Sequence, residues 1–119
     1  MIEDGFSITP LPESLRARIE AVLHGPGELP PRTRQAAEMR AAILGGRDGE
    51  GAALVPEPVE RYVEKIAKHA YKTTDEDIDA LKQAGYSENA IFEITVSAAL
   101  GAGIARWQRG LMALKGDGR

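Results

Sequence analysis

The strongest constraint on this chain lies near its end. From Glu88 to about Leu114 the sequence runs without proline and reads as one helix of roughly 40 Å at 1.5 Å per residue. Ser87 stands before it as an N-cap, and Glu88 suits its positive end. Ile91, Thr95, Ala98, Ala102 and Ala105 line one side, while Phe92, Val96, Ala99 and Gly103 line another. A surface helix carries one apolar stripe, so a helix apolar on two sides is expected to be buried on two sides. In a chain of 119 residues this means a central helix, a subunit interface, or both. Gly101 and Gly103 each cost about 1 kcal/mol relative to alanine in a helix interior. Tight packing is the simplest offset, and Ala99-x-x-x-Gly103 and Ala98-x-x-x-Ala102 permit close backbone approach.

The residues upstream supply shorter helices to surround it. Residues 1–11 have no period and read as an extended lead-in. Pro12 opens a first helix whose face is Leu15, Ile19, Val22 and Leu23; His24-Gly25-Pro26-Gly27 ends it, with Gly25 able to take a left-handed cap. Pro30 and Pro31 open a second, with Ala36, Met39 (or Arg40), Ile43 and Leu44 as its apolar stripe. The glycine-rich run 45–51 reads as a flexible loop and lacks the Gly-Lys-Ser/Thr ending of a phosphate cradle. Val59, Tyr62, Val63, Ile66, Ala67 and Ala70 form the face of a third helix. Thr73 and Thr74, followed three residues on by Glu76 and Asp77, carry a capping-box signature for a fourth, which closes at Gly85. The expected fold is all-α: a compact bundle of about five helices over 12–114 as a single domain, with one long central C-terminal helix and a frayed tail at 115–119.

Composition narrows the chemistry. The chain has no cysteine, which excludes disulfides, thiolate metal sites, iron–sulfur clusters and a cysteine nucleophile. With His24 and His69 its only histidines, no metal site and no cofactor are expected. Fifteen Lys and Arg against 18 Asp and Glu give a net charge of −3, too near balance to steer the chain to nucleic acid. The acidic start Met1-Ile2-Glu3-Asp4-Gly5 has no apolar signal-peptide core. The apolar run Ala90–Ala105 falls short of the ~20 residues a membrane span needs. A cytoplasmic protein without a membrane partner is the expectation.

The segment Thr74-Asp75-Glu76-Asp77-Ile78-Asp79-Ala80-Leu81-Lys82-Gln83-Ala84-Gly85-Tyr86-Ser87-Glu88, continued by Ile91-Phe92-Glu93-Ile94, resembles the alkylhydroperoxidase D-like and carboxymuconolactone decarboxylase superfamily. The shared pattern is a short helix, an Ala-Gly-aromatic turn, a Ser cap and a long alanine-rich helix with Glu near its start. Arg106 resembles an Arg late in that helix, and Leu29 to Glu38 looks like the family's opening helix. The similarity covers roughly residues 57–114. Active peroxidases of the family carry Cys-x-x-Cys and a His before the turn; the corresponding positions here fall near Tyr71, Thr74 and Ile78. Hydroxyls cannot replace the thiolate that attacks peroxide or the thiol that resolves the sulfenic acid. The resemblance therefore implies a member without the redox centre, assembled as a homo-oligomer through helical interfaces.

Two functions follow as expectations. One is a non-redox binding or scaffold protein. The other is a cofactor-free lyase or isomerase, similar to carboxymuconolactone decarboxylase, acting on a small carboxylate by proton transfer. For the second, His69 is the candidate base, Glu93 the acid and Arg106 the carboxylate clamp. Each also has a plain structural reading: His69 as an exposed helix residue, Glu93 as a solvent-facing or paired carboxylate, Arg106 as a bridge to a subunit or a helix end. His24 reads as a helix C-terminal cap, Trp107 as a packing residue, and Asp75-Glu76-Asp77 as acids countering a helix dipole. The lyase reading requires His69, Glu93 and Arg106 to converge on one pocket.

Overall fold

The computed structural model describes residues 12–46 and 55–115, and within them the protein is all-α with no strand. The helices are α1 (Glu13–His24), α2 (Pro31–Leu44), α3 (Glu57–His69), α4 (Asp75–Gln83) and α5 (Glu88–Lys115), with one 3₁₀ turn at Ala70–Lys72. The lead-in 1–11, the loop residues 47–51 and the tail beyond Lys115 lie outside the described residues; Lys115 itself still belongs to α5.

Local signals explain where the helices begin and end. Pro31 and Pro58 occupy first-turn positions in α2 and α3, where a missing N–H leaves no hydrogen bond broken. The capping box before α4 forms on the Thr74/Asp77 pair: the Asp77 carboxylate accepts the Thr74 backbone N–H at 2.8 Å. At the other end of α4, Tyr86 N–H donates to the Leu81 carbonyl at 3.1 Å and Gly85 N–H to Lys82 at 3.0 Å. This is a Schellman closure, and it needs the left-handed φ of +104° that Gly85 supplies. Ser87 Oγ accepts the Ala90 N–H at 3.1 Å and so starts α5 as expected. The first helix ends differently: Gly25 is extended, at φ −76° and ψ −179°, so no left-handed cap is used there.

Helix α5 packs against all four other helices, most extensively against α2. One core joins Ala37 and Ala41 of α2, Val59, Tyr62, Val63 and Ala67 of α3, Leu81 of α4, and Ile91, Ile94, Ala98 and Ala102 of α5. A smaller cluster sets Ile19 and Leu23 of α1 against Ile104. By length and composition alone α5 is long and apolar enough to cross a bilayer, longer than the apolar run Ala90–Ala105 taken by itself; half of that window is buried inside the molecule.

The buried face of α2 differs from the expected stripe. Arg34, Ala37, Glu38, Ala41 and Ala42 are buried, whereas Met39 is exposed. Size explains the difference. A Cβ placed on Gly101 would collide with the Glu38 carbonyl oxygen and lie 2.9 Å from its carbon, and one on Gly45 would lie 3.0 Å from the Cα of Ala102. The two backbones come together so closely that only small side chains fit between them, and larger apolar residues are turned to the flanks. In α1 likewise, Ile19 and Leu23 are buried while Leu15 and Val22 are exposed.

Candidate functional site

The three expected site residues do not form one constellation. Glu93 is half-buried near the start of α5. Its two oxygens accept the backbone N–H groups of Glu28, at 2.8 Å, and Leu29, at 2.9 Å. Glu28 answers in the other direction: its carboxylate accepts the Ser87 hydroxyl and, at 3.3 Å, the Asn89 side-chain amide. Two carboxylates thus stitch the α1–α2 connection to the first turns of α5. Gly27 keeps that seam tight, since a Cβ there would stand 2.8 Å from Glu93 Oε2. Glu93 is an anchor for a loop.

Arg106 lies about 20 Å further along α5, thirteen residues at 1.5 Å each. Its Nη2 donates to the backbone carbonyl of Ala67 in the last turn of α3. This is the helix-end reading of Arg106. It belongs to a pattern in which arginines satisfy the carbonyls that helix C-termini leave open. Arg34, buried in α2, donates to Val22 O at 2.6 Å and to Gly25 O at the end of α1. Arg109 donates to Gly46 O at 2.8 Å, just past α2. Arg34 was not apparent as a functional position; its signal was that Arg34, Ala37, Glu38 and Ala41 share one helical spacing, so the charged pair had to turn inward with the alanines. His24 is the last residue of α1, 3.3 Å from Glu20 and 3.0 Å from the Gln35 amide of α2, while Gly25 stands at the cap position.

His69 is the last residue of α3, exposed, with its ring edge-on to Tyr71 at 6.2 Å between centroids. Both His69 and the Arg106 contact are therefore at the same end of α3, and Glu93 is at the far end of α5. The convergence that acid–base catalysis by this trio requires is absent within the chain.

What His69 does share is a cavity of about 590 Å³ between α3 and α4. Tyr62, Ala80 and Leu81 contribute its apolar lining; Arg61, Lys65 and Lys68 follow one another along α3 at helical spacing, and Lys72 joins them from the 3₁₀ turn. Most of these cations have anionic neighbours. Lys65 lies 3.0 Å from both oxygens of Asp77, Lys68 is 3.5 Å from Glu64, and Arg61 is 4.0 Å from Glu57. Lys72 stands over the Tyr71 ring at 5.8 Å. The Thr74 N–H first, and then the Lys65 ammonium, hold the Asp77 carboxyl below its ordinary value. Across the α4–α5 turn the 2.9 Å Lys82–Glu88 pair raises the Lys82 ammonium and lowers the Glu88 carboxyl; both groups are exposed, so the pair adds little stability. Among the described residues, no three His, Asp or Glu side chains gather as a metal-ligand set.

Several exposed apolar residues lie on α5. Phe92 is 67% exposed, Trp107 41% and Leu114 84%. Between them Ala99, Gly103 and Gly110 are exposed and Val96 half-buried. A Cβ built on Gly103 or Gly110 would meet nothing within 4 Å. At 100° per residue these seven positions fall on one face, opposite the Ile94, Ala98 and Gly101 side that enters the core. The second apolar side read from the sequence therefore exists, and among the described residues nothing covers it.

No protein-family model matches the sequence, and no curated protein or solved structure matches the chain.

Proposed function

We propose that this chain is a non-redox protein of the alkylhydroperoxidase D-like type, working in the cytoplasm as a homo-oligomeric binding or scaffold protein. The observation that carries this reading is the outward face of α5. An outer helix face is ordinarily polar, and exposed glycines in a helix interior cost stability with no contact among the described residues to offset them. Association that buries Phe92, Trp107 and the glycines between them supplies the missing contacts. The absence of any thiol argues in the same direction, because the reaction of the better-known relatives has no nucleophile here. Size-exclusion chromatography with light scattering at micromolar concentration tests the assembly: a defined oligomer is expected, and a stable monomer would count against it. An organic hydroperoxide assay with dithiol donors should show no turnover above the uncatalysed rate.

A second reading is favoured by one observation, the place of His69 and Lys72 in the α3–α4 cavity. A small carboxylate held by Lys72 beside a neutral or protonated imidazole is the arrangement a cofactor-free lyase or isomerase would need. Isothermal titration with small mono- and dicarboxylates tests it. No heat of binding at millimolar ligand, or binding that is the same in His69→Ala and Lys72→Ala, removes this reading.

A further inference from the structure

The exposed face of α5 has an internal symmetry. Counting outward from Gly103, its apolar positions recur after four, three and four residues in both directions: Ala99, Val96 and Phe92 on one side, Trp107, Gly110 and Leu114 on the other. Side-chain size is distributed across that centre in a complementary way. Ala99 is the counterpart of Trp107, and Val96 the counterpart of Gly110. Each inner pair sets a small residue opposite a larger one, Gly103 is its own counterpart, and the outer pair, Phe92 and Leu114, is large on both sides.

We infer that two copies of this chain pair through α5 in antiparallel fashion about a two-fold axis that passes at Gly103. The inference rests on the self-association reading above and specifies its geometry. A closed two-fold contact uses the same patch on both partners, so residue and counterpart must meet reciprocally. Antiparallel packing brings Trp107 of each copy over the partner's Ala99 and leaves space for the partner's Val96 beside Gly110. Phe92 and Leu114 close the two ends. At the centre, Gly103 has no side chain to hold the helices apart, and the axes can approach to the lower end of the usual ~8–10 Å range. The arrangement also lays the positive end of each helix beside the negative end of the other. A parallel pair would instead stack Trp107 on Trp107 and set Gly110 against Gly110, where no Val96 side chain fills the space. A lipid surface is a poorer occupant: the middle of the face is Ala99 and Gly103, which bring little apolar area to a bilayer.

The absence of cysteine allows a direct test, because single introduced thiols are the only ones present. Gly103→Cys and Ala99→Cys are compared under mild oxidation, with light scattering on the unmodified chain and after addition of anionic vesicles. Both sites are exposed among the described residues, so the described helices accommodate the substitutions. In the antiparallel pair the two 103 positions adjoin, whereas the two 99 positions are about 12 Å apart along the axis, beyond disulfide reach. Gly103→Cys is expected to link into a dimer, and Ala99→Cys to stay unlinked. Ala99→Cys mixed with Trp107→Cys is expected to give the crossed dimer. Equal linking by both single variants, as in a parallel pair, overturns the proposal. An unmodified chain that is dimeric, while neither Gly103→Cys nor the 99/107 mixture links, overturns this geometry but leaves the oligomer. A monomer throughout, or a chain that stays monomeric and partitions onto vesicles, overturns both.

Discussion

At the scale of single residues, two glycines two positions apart do opposite things. Gly101 is where α5 meets the backbone of α2, with the Glu38 carbonyl in the space a Cβ would take. Gly103 lies on the opposite face, where a Cβ would meet no described atom within 4 Å. Alanine favours helix over glycine by about 1 kcal/mol at either site. At Gly101 that gain is outweighed by moving α2 outward, so Gly101→Ala is expected to lower stability by roughly 1–3 kcal/mol. Gly103→Ala should raise the stability of the single chain by about 0.5–1 kcal/mol. Urea unfolding at sub-micromolar concentration measures both, and equal effects of the two substitutions would contradict this account of α5. The candidate site residues teach a related point. The sequence offered Glu93 and Arg106 as an acid and a clamp because carboxylates and guanidinium groups in apolar helices carry chemistry. The structure gives them backbone partners instead: N–H groups of the α1–α2 connection for Glu93, a helix-end carbonyl for Arg106. Such partners are close in space and distant in sequence, so no local pattern announces them.

At the scale of elements, starts and stops were legible and the choice of face was legible only in part. Pro31, the Thr74/Asp77 capping box, Gly85 and Ser87 act within one turn of chain, and each performs the role its type and position imply. For α3 the hydrophobic period gives most of the buried face, Val59, Tyr62, Val63 and Ala67; Ala70 is exposed, because the helix ends at His69 and a 3₁₀ turn takes over. For α2 it does not, because the close crossing at Gly101 selects small residues, and hydrophobicity ranks Met39 above Ala41 where the available volume ranks them the other way. The start of α4 gives a prediction of its own. Asp77 is held in its charged form by the Thr74 N–H and by Lys65, so its carboxyl is harder to protonate in the folded chain than in the unfolded one. The stability it contributes is therefore present above the ordinary carboxylate range and is lost as pH falls through the lowered folded value. Asp77→Asn is expected to cost about 1 kcal/mol near pH 7, with the gap between variant and unmodified chain closing as the pH falls below the ordinary carboxylate range. Urea titrations followed by circular dichroism across that interval would show it; a gap that stays constant would mean Asp77 is not the group involved.

At the scale of the whole molecule, the decisive fact is that a long helix has two apolar sides and the described helices cover only one of them. The all-α bundle around a long C-terminal helix could be read from periodicity and punctuation, and so could the presence of the second side. Whether that side would be covered could not, since it depends on how four short helices distribute around α5. If the outer face is buried by a second copy, folding and association are linked by mass action, and the midpoint of thermal unfolding must rise with protein concentration. Between about 1 and 100 µM the account predicts a rise of roughly 5–10 °C, and a smaller or vanishing rise when Gly103→Trp blocks the helix crossing. A midpoint that does not move over that range would contradict the claim that the outer face of α5 is built to be covered.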